Sequence, residues 1–247
     1  MKKDKIPAAT IIRLSVYQRY LKKLMNSGVK VVSSNQLATE ASVNPAQLRK
    51  DLSYFGRFGV RGVGYDVASL SSTISAILGL ADEWRVVLVG TGPIGQALLR
   101  HPQFARQGYR FEAVFDIDPS NVGMKFENGL TVQGMDKLPE VVQENSIQLA
   151  VLAVPSDKAQ DVADCLVKSG IRGILNFSPT RIKVPRGVSV QYVDFTILLD
   201  SLTYNISRNR GQTIDTESEP AKPRWGREHS WPVVQSNIHG QEIGLSS

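Results

Sequence analysis

Between Thr10 and Leu24 the apolar positions Ile11, Leu14, Val16, Tyr17, Tyr20, Leu21 and Leu24 recur at close to helical spacing, and a basic last turn with Gly28 beyond it marks a stop. This predicts a first helix over about 10–26. In SSNQLATEASV, Ser34 can cap a short second helix carrying Leu37 and Ala38. Asn44 can cap a third, because Pro45 suits the first helical position and lacks the N–H that would be unsatisfied there. The third helix should run from about Pro45 to Tyr54 with Leu48 and Leu52 inward, leaving Gln47, Arg49, Lys50 and Asp51 around the other sides. Two short helices joined by a tight turn make a helix-turn-helix. After it, the glycines of SYFGRFGVRGVGY cannot continue a helix cheaply, so this stretch leaves as a turn or two-stranded wing.

Further along, ASLSSTISAILGLADEW reads as a connecting helix ending near Gly79, and the pattern then changes. Val86–Val89 is a continuous apolar run, as in a strand buried on both faces of a parallel sheet. Gly90, Gly92 and Gly95 complete GxGxxG before a helix from about Ile94. The strand FEAVFDID follows, then LAVLAV (149–154) and a helix with Ala159, Val162, Ala163, Leu166 and Val167 on one face. Further strands are GILNFSP (173–179) and VSVQYVDF (188–195), the latter leading into TILLDSLTYNISR. Alternating strands and helices of this kind specify an α/β doubly wound parallel sheet of Rossmann type. The domain organisation is then a winged helix-turn-helix over 1–78, a Rossmann domain over 79–208, and a tail over 209–247. The tail lacks periodicity and is rich in Ser, Pro, Gly and charges, which reads as disorder, with Trp225 and Trp231 as an alternative docking motif.

Charge sharpens this picture. Residues 1–62 hold twelve Lys and Arg against Asp4, Glu40 and Asp51, a net +9, whereas the remaining 185 residues hold 17 basic and 20 acidic side chains, a net −3. One end is built to meet a polyanion. Candidate DNA contacts are Arg13, Asn44, Gln47, Arg49, Lys50 and Tyr54, with Arg57 and Arg61 of the wing over phosphates. Gln can bond adenine edges, and Arg or Lys guanine O6 and N7. Tyr54, Phe55 and Phe58 would anchor the wing. These glycines follow a helix, so they lack the strand-to-helix context of a phosphate-binding loop.

The loop Gly90, Thr91, Gly92, Pro93, Ile94 and Gly95 has that context. Asp116 lies 26 residues after Gly90, where an acidic side chain holds the adenosine ribose hydroxyls and repels a 2′-phosphate, favouring NAD(H). The turns containing Ala153, Val154, Pro155, Asn176 and Ser178 should border the crevice. His101 and Asp194 are the candidate polar groups near the nicotinamide. The alternatives are a surface or capping role for His101 and a helix cap for Asp194. Cys165 is read as a small helix residue, and His101, His229 and His239 form no metal-ligand spacing with it, so no metal site or disulfide is expected. No apolar run of 18 residues appears and Pro7 and Arg13 interrupt the N-terminal stretch, which points to a soluble, cytoplasmic, non-membrane protein. No catalytic residue stands out and no substrate domain fits, so the chain reads as a cofactor binder that reports on it.

LRKDLSYFGRFGVRGVGY, with VGTGPIGQALL, FDIDPSNVG, ILNFSP and VDFTILL, resembles the Rex family of redox-sensing transcriptional repressors over about residues 5–208. The resemblance implies a homodimer that binds pseudo-palindromic double-stranded operators with its winged helices and releases them when NADH replaces NAD⁺. It also implies that the last helix, about 196–207, is swapped between protomers and carries Phe195 to the partner's nicotinamide pocket. Where the family commonly has Arg or Asn the chain has Pro93, and His101 stands in place of Tyr. In members with Arg and Tyr those residues exchange hydrogen bonds with the aspartate at the position of Asp194, a switch that Pro93 cannot make in that form. Arg57 replaces a residue often acidic or neutral. Two alternatives remain open: an NAD-dependent oxidoreductase with a basic appendage, and a DNA-binding regulator that has lost its NADH response.

Overall fold

The computed structural model describes residues 6–60 and 62–208. Arg61 and the tail 209–247, to which a wing contact and disorder were assigned from sequence, lie outside the described residues. Those described fall into two compact units, one ending at Ala81 and the other running from Asp82 to Arg208.

The first unit is a winged helix. Helix α1 (Ala8–Asn26) is followed by β1 (Val31–Val32), α2 (Ser34–Glu40), α3 (Pro45–Ser53), β2 (Tyr65–Asp66) and α4 (Val67–Ile77), with β1 and β2 antiparallel. The cap of α2 is Ser33 and not Ser34: its hydroxyl accepts from the Gln36 N–H at 3.1 Å while Gln36 Oε1 accepts from the Ser33 N–H. The signal for it is Gln three residues after Ser33, a capping box. At α3, Asn44 Oδ1 accepts the Gln47 N–H at 2.7 Å with Pro45 in the first turn. The expected helix stops one residue short, with Tyr54 as its C-terminal cap. Leu14, Tyr17, Leu21, Leu37, Leu48, Leu52 and Ile74 form the core, so the inward placing of Leu48 and Leu52 holds. The wing is narrow: Val60 bridges Gly64, and Phe55 and Phe58 pack against the core from outside.

In the second unit six strands, β3 (Trp84–Val89), β4 (Tyr109–Asp116), β5 (Val132–Gly134), β6 (Leu149–Leu152), β7 (Gly173–Asn176) and β8 (Ser189–Tyr192), lie in the order β5-β4-β3-β6-β7-β8, all parallel. Between them run α5 (Pro93–Arg100), α6 (Gln103–Arg106), α7 (Leu138–Glu144) and α8 (Ala159–Ser169), and α9 (Phe195–Arg208) closes the described chain. Alternate residues of β3 feed opposite cores: Val87 and Val89 meet Phe115, Leu152 and Leu166, while Val86 and Leu88 meet Val114, Val132 and Val151. Two-sided burial is why this strand reads as an unbroken apolar run. The strand order reverses between β3 and β6, which opens a crevice at their C-terminal ends. Helix α9 has no buried residue.

Candidate cofactor crevice and nucleic-acid interface

The glycine loop sits at that reversal. Gly90 takes φ +102°, and a Cβ on it would lie 2.3 Å from the Ala153 carbonyl oxygen, so only glycine lets the two strand ends approach. A Cβ at Gly95 would meet the Gly90 carbonyl at 2.0 Å, which fixes how closely α5 packs on β3. Gly92 is different: apart from its own chain neighbours, no atom of the described residues lies within 4 Å of where its Cβ would stand. The open space lies at the N-cap of α5, where free N–H groups and the helix dipole favour a phosphate. Ile94 is exposed beside it. These are the features that a dinucleotide pyrophosphate requires, and the residues present fit one.

Asp116 holds this loop. One of its carboxylate oxygens accepts the Thr91 N–H at 2.8 Å and also the Thr91 hydroxyl, and the other accepts the Asp118 N–H at 2.9 Å. Burial pushes the Asp116 carboxyl up, but these hydrogen bonds more than offset it and the net shift is downward. A further hydrogen bond from the Asn121 side chain brings the partners to four, about the number of lone-pair sites on a carboxylate, so a ribose hydroxyl would replace or share one of them. Asp116 also lines a cleft of about 660 Å³ with Val122, Val132, Met135 and Lys137. Sequence reasoning missed the part played by Thr91 as a strut.

The remaining crevice candidates are placed unevenly. Val154 is buried and Pro155 exposed at the turn after β6. Asn176 is fully buried and braces the turn after β7: Nδ2 donates to the Thr180 carbonyl and Oδ1 accepts the Ser178 N–H. Ser178 Oγ is buried without a hydrogen-bond partner among the described residues. Phe195 is exposed, its ring 6.2 Å from that of Phe177. Asp194 caps α9, accepting the Thr196 hydroxyl at 2.6 Å and its N–H at 2.9 Å, and these bonds hold the exposed carboxyl below its ordinary range. His101 is not gathered here within one chain. It is the C-cap of α5, where its Nδ1 accepts the Gln103 N–H, and nine residues of helical rise put it roughly 13 Å from Gly92.

On the first unit Arg49 and Lys50 are exposed on α3, and Arg57 is exposed in the wing. A groove of about 760 Å³ between α2, α3 and the wing is lined by Asn35, Arg49, Arg57 and Tyr65. Asn44 is committed to its cap and Tyr54 is half-buried. Two sequence expectations change. Asp51, placed outward, is fully buried, and Arg13, assigned to DNA, has its guanidinium on Asp51 through two bonds of 2.6 Å. An Asp directly after Arg49 and Lys50 in so basic a segment was the signal available, but its α1 partners lie 34 to 41 residues away in sequence. Among the described residues no group of His, Cys, Asp and Glu is placed to hold a metal ion, and no helix is long and apolar enough to cross a membrane.

Comparison with known proteins separates the two units. Residues 5–53 match the family "putative DNA-binding protein N-terminus", and residues 81–180 match "CoA binding domain". Over 207 residues the chain is 51% identical to the redox-sensing transcriptional repressor Rex of Syntrophobacter fumaroxidans, covering 84% of this chain and 99% of that one. The chain belongs to the Rex family of redox-sensing transcriptional repressors. The Carboxydothermus hydrogenoformans Rex is 49% identical over 85% of this chain and 100% of its own. Among solved structures the Rex-family repressor RSP, in complex with NAD⁺ and operator DNA, matches with a TM-score of 0.78 and 34% identity, over 83% of this chain and 94% of that one. RSP with NADH gives 0.73 and 33%. This Rex-family chain therefore has the fold expected of it, a winged helix followed by a Rossmann sheet.

Proposed function

We propose that the chain is a transcriptional repressor that holds NAD(H) at the Gly90–Gly95 loop and Asp116, binds operator DNA through α3 and the wing as a homodimer, and leaves it when NADH replaces NAD⁺. The observation that carries this reading is the pairing, in one chain of this family, of a basic winged helix with a glycine loop whose Gly92 is left open at a helix N-terminus. Its relatives are named repressors, and it is a regulator and not an enzyme.

The homodimer is supported by α9, which exposes Phe195, Leu199, Leu202 and Ile206 along one side. So large an apolar face on one helix calls for a cover, and exchange of α9 between protomers supplies it. Two recognition helices then reach successive major grooves about 34 Å apart. A ligand shifts such an equilibrium only by its differential affinity for the two states. The Asp194 carboxylate, held ionised by Thr196, would sit better beside the positive oxidised ring than beside a neutral reduced one.

A fixed-salt gel-shift titration on an inverted-repeat operator, with saturating NAD⁺ or NADH, tests the function. Release by NADH alone is expected. Pro93 favours a second reading, a constitutive DNA binder with a structural nucleotide, and binding indifferent to both nucleotides would establish that instead. For Asp194→Ala the ratio of NAD⁺ to NADH affinity should fall, and an unchanged ratio would remove Asp194 from discrimination.

A further inference from the structure

Gln47 is a polar side chain of α3 whose orientation its surroundings fix. Its Nε2 donates to Asp51 Oδ1 at 2.9 Å, one turn further along the helix. The same Oδ1 accepts from Thr10 Oγ1 at 3.1 Å and from Arg13 at 2.6 Å, while Oδ2 accepts from Arg13 Nε at 2.6 Å and the Tyr17 hydroxyl at 2.8 Å. Asp51 is thus fully buried and fully satisfied, with its charge answered by Arg13. An ionised carboxylate accepts and never donates, so the Gln47 amide has one orientation, nitrogen towards Asp51. Asp51 takes one of the two hydrogens on that nitrogen. The second hydrogen and Oε1 have no protein partner among the described residues, and the side chain is half-exposed, flanking Lys50 on the neighbouring turn.

A planar amide that offers one N–H beside one carbonyl oxygen is the complement of the major-groove edge of adenine, where the N7 acceptor adjoins the N6 donor. Guanine presents two acceptors there, one of which would face the amide oxygen. We propose that Asp51, braced from α1 by Thr10, Arg13 and Tyr17, is a positioning residue that presets Gln47 as an adenine reader, and that Gln47 sets an A·T preference at one position of each operator half-site. The side-chain freedom that a surface glutamine loses on meeting a base is here already lost before binding. Arg49 and Lys50, exposed and unbraced, have no such preset. This inference rests on the DNA-binding reading above.

The test begins with a duplex enriched from random sequence by the full chain. Each adenine of a half-site is then replaced in turn by 7-deazaadenine, which lacks the N7 acceptor, or by purine, which lacks the N6 amino group. At one adenine both replacements should weaken the wild-type protein about tenfold. Gln47→Ala should bind the natural duplex about tenfold more weakly and be indifferent to both analogues at that position. Asp51→Asn, checked for folding by its circular-dichroism melt, should lose analogue sensitivity while NAD⁺ binding is unchanged. If Gln47→Ala keeps the wild-type analogue penalties at every adenine, the assignment of Gln47 is overturned. If a folded Asp51→Asn keeps them, the presetting is overturned. Failure to enrich any sequence would overturn the DNA-binding reading itself, and this inference with it.

Discussion

Thr91 and Asp116, 25 residues apart, are joined by both the backbone N–H and the hydroxyl of Thr91. The contact ties the glycine loop to the end of the neighbouring strand through protein groups alone. A loop held in this way presents its donors at fixed positions, so that less ordering is needed when a dinucleotide binds. Thr91→Val removes the hydroxyl and keeps the volume. It should weaken NAD⁺ and NADH alike by about tenfold, the scale of a lost hydrogen bond to a charged group, with their ratio unchanged. Calorimetric titration of both nucleotides checks this, and a change confined to one redox form would show that Thr91 senses the nicotinamide.

Pro93 concerns the same loop from the other side. As the first residue of α5 it lacks one of the N–H groups that the open helix end would otherwise direct at a phosphate. Pro93→Ala should therefore tighten both nucleotides severalfold while the melting temperature changes little, because Ala is a good helix former at that position. Unchanged affinities in the same calorimetric titrations would mean that the Pro93 position does not face the pyrophosphate.

Much of this site could be read from the sequence because its signals are local. Gly90, Gly92 and Gly95 lie within six residues of one another, and Asn44 with Pro45 announces a helix start by adjacency alone. The roles of those three glycines in the structure, close approach at Gly90 and Gly95 and open space at Gly92, are the ones the motif implies. What stayed hidden depends on distant partners. Asp51 looks like a surface residue until Arg13 and Tyr17 of another helix fold against it. Strand β5 was missed for another reason: three residues, Val132–Gly134, carry no periodicity. The cap at Ser33 was displaced to Ser34 because two serines adjoin, and only the spacing to Gln36 distinguishes them.

Acid should undo the winged helix through Asp51. Burial pushes its carboxyl up, but the bonds from Arg13, Tyr17 and Gln47 outweigh burial and leave it below the ordinary range. A group whose folded pKa is depressed contributes stability that is fully present above its unfolded value, about 4, and is lost as pH falls through the folded value. Denaturant unfolding between neutral pH and about pH 2 should show this loss in the wild type and a shallower acid limb in Asp51→Asn. At neutral pH the variant should be less stable by about 3 kcal/mol, because the Arg13 charge is left unanswered. Parallel acid limbs would mean that Asp51 does not govern the transition.

Leu202 lies on the exposed face of α9. Leu202→Glu should leave each protomer folded and able to bind NAD⁺ while sedimenting as a monomer. Operator affinity should fall on the order of a hundredfold with the loss of bivalent contact. A dimeric Leu202→Glu variant would place the subunit interface elsewhere.

The bonds that clamp α3 to α1 all end on Asp51, to which Gln47 is joined along α3, and none of them involves the side chains of Arg49 or Lys50. Those two positions can be rewritten without loosening the helix that displays them. On the DNA-binding reading, the base preference that Arg49 and Lys50 contribute is thereby separable from the stability of the helix that carries them.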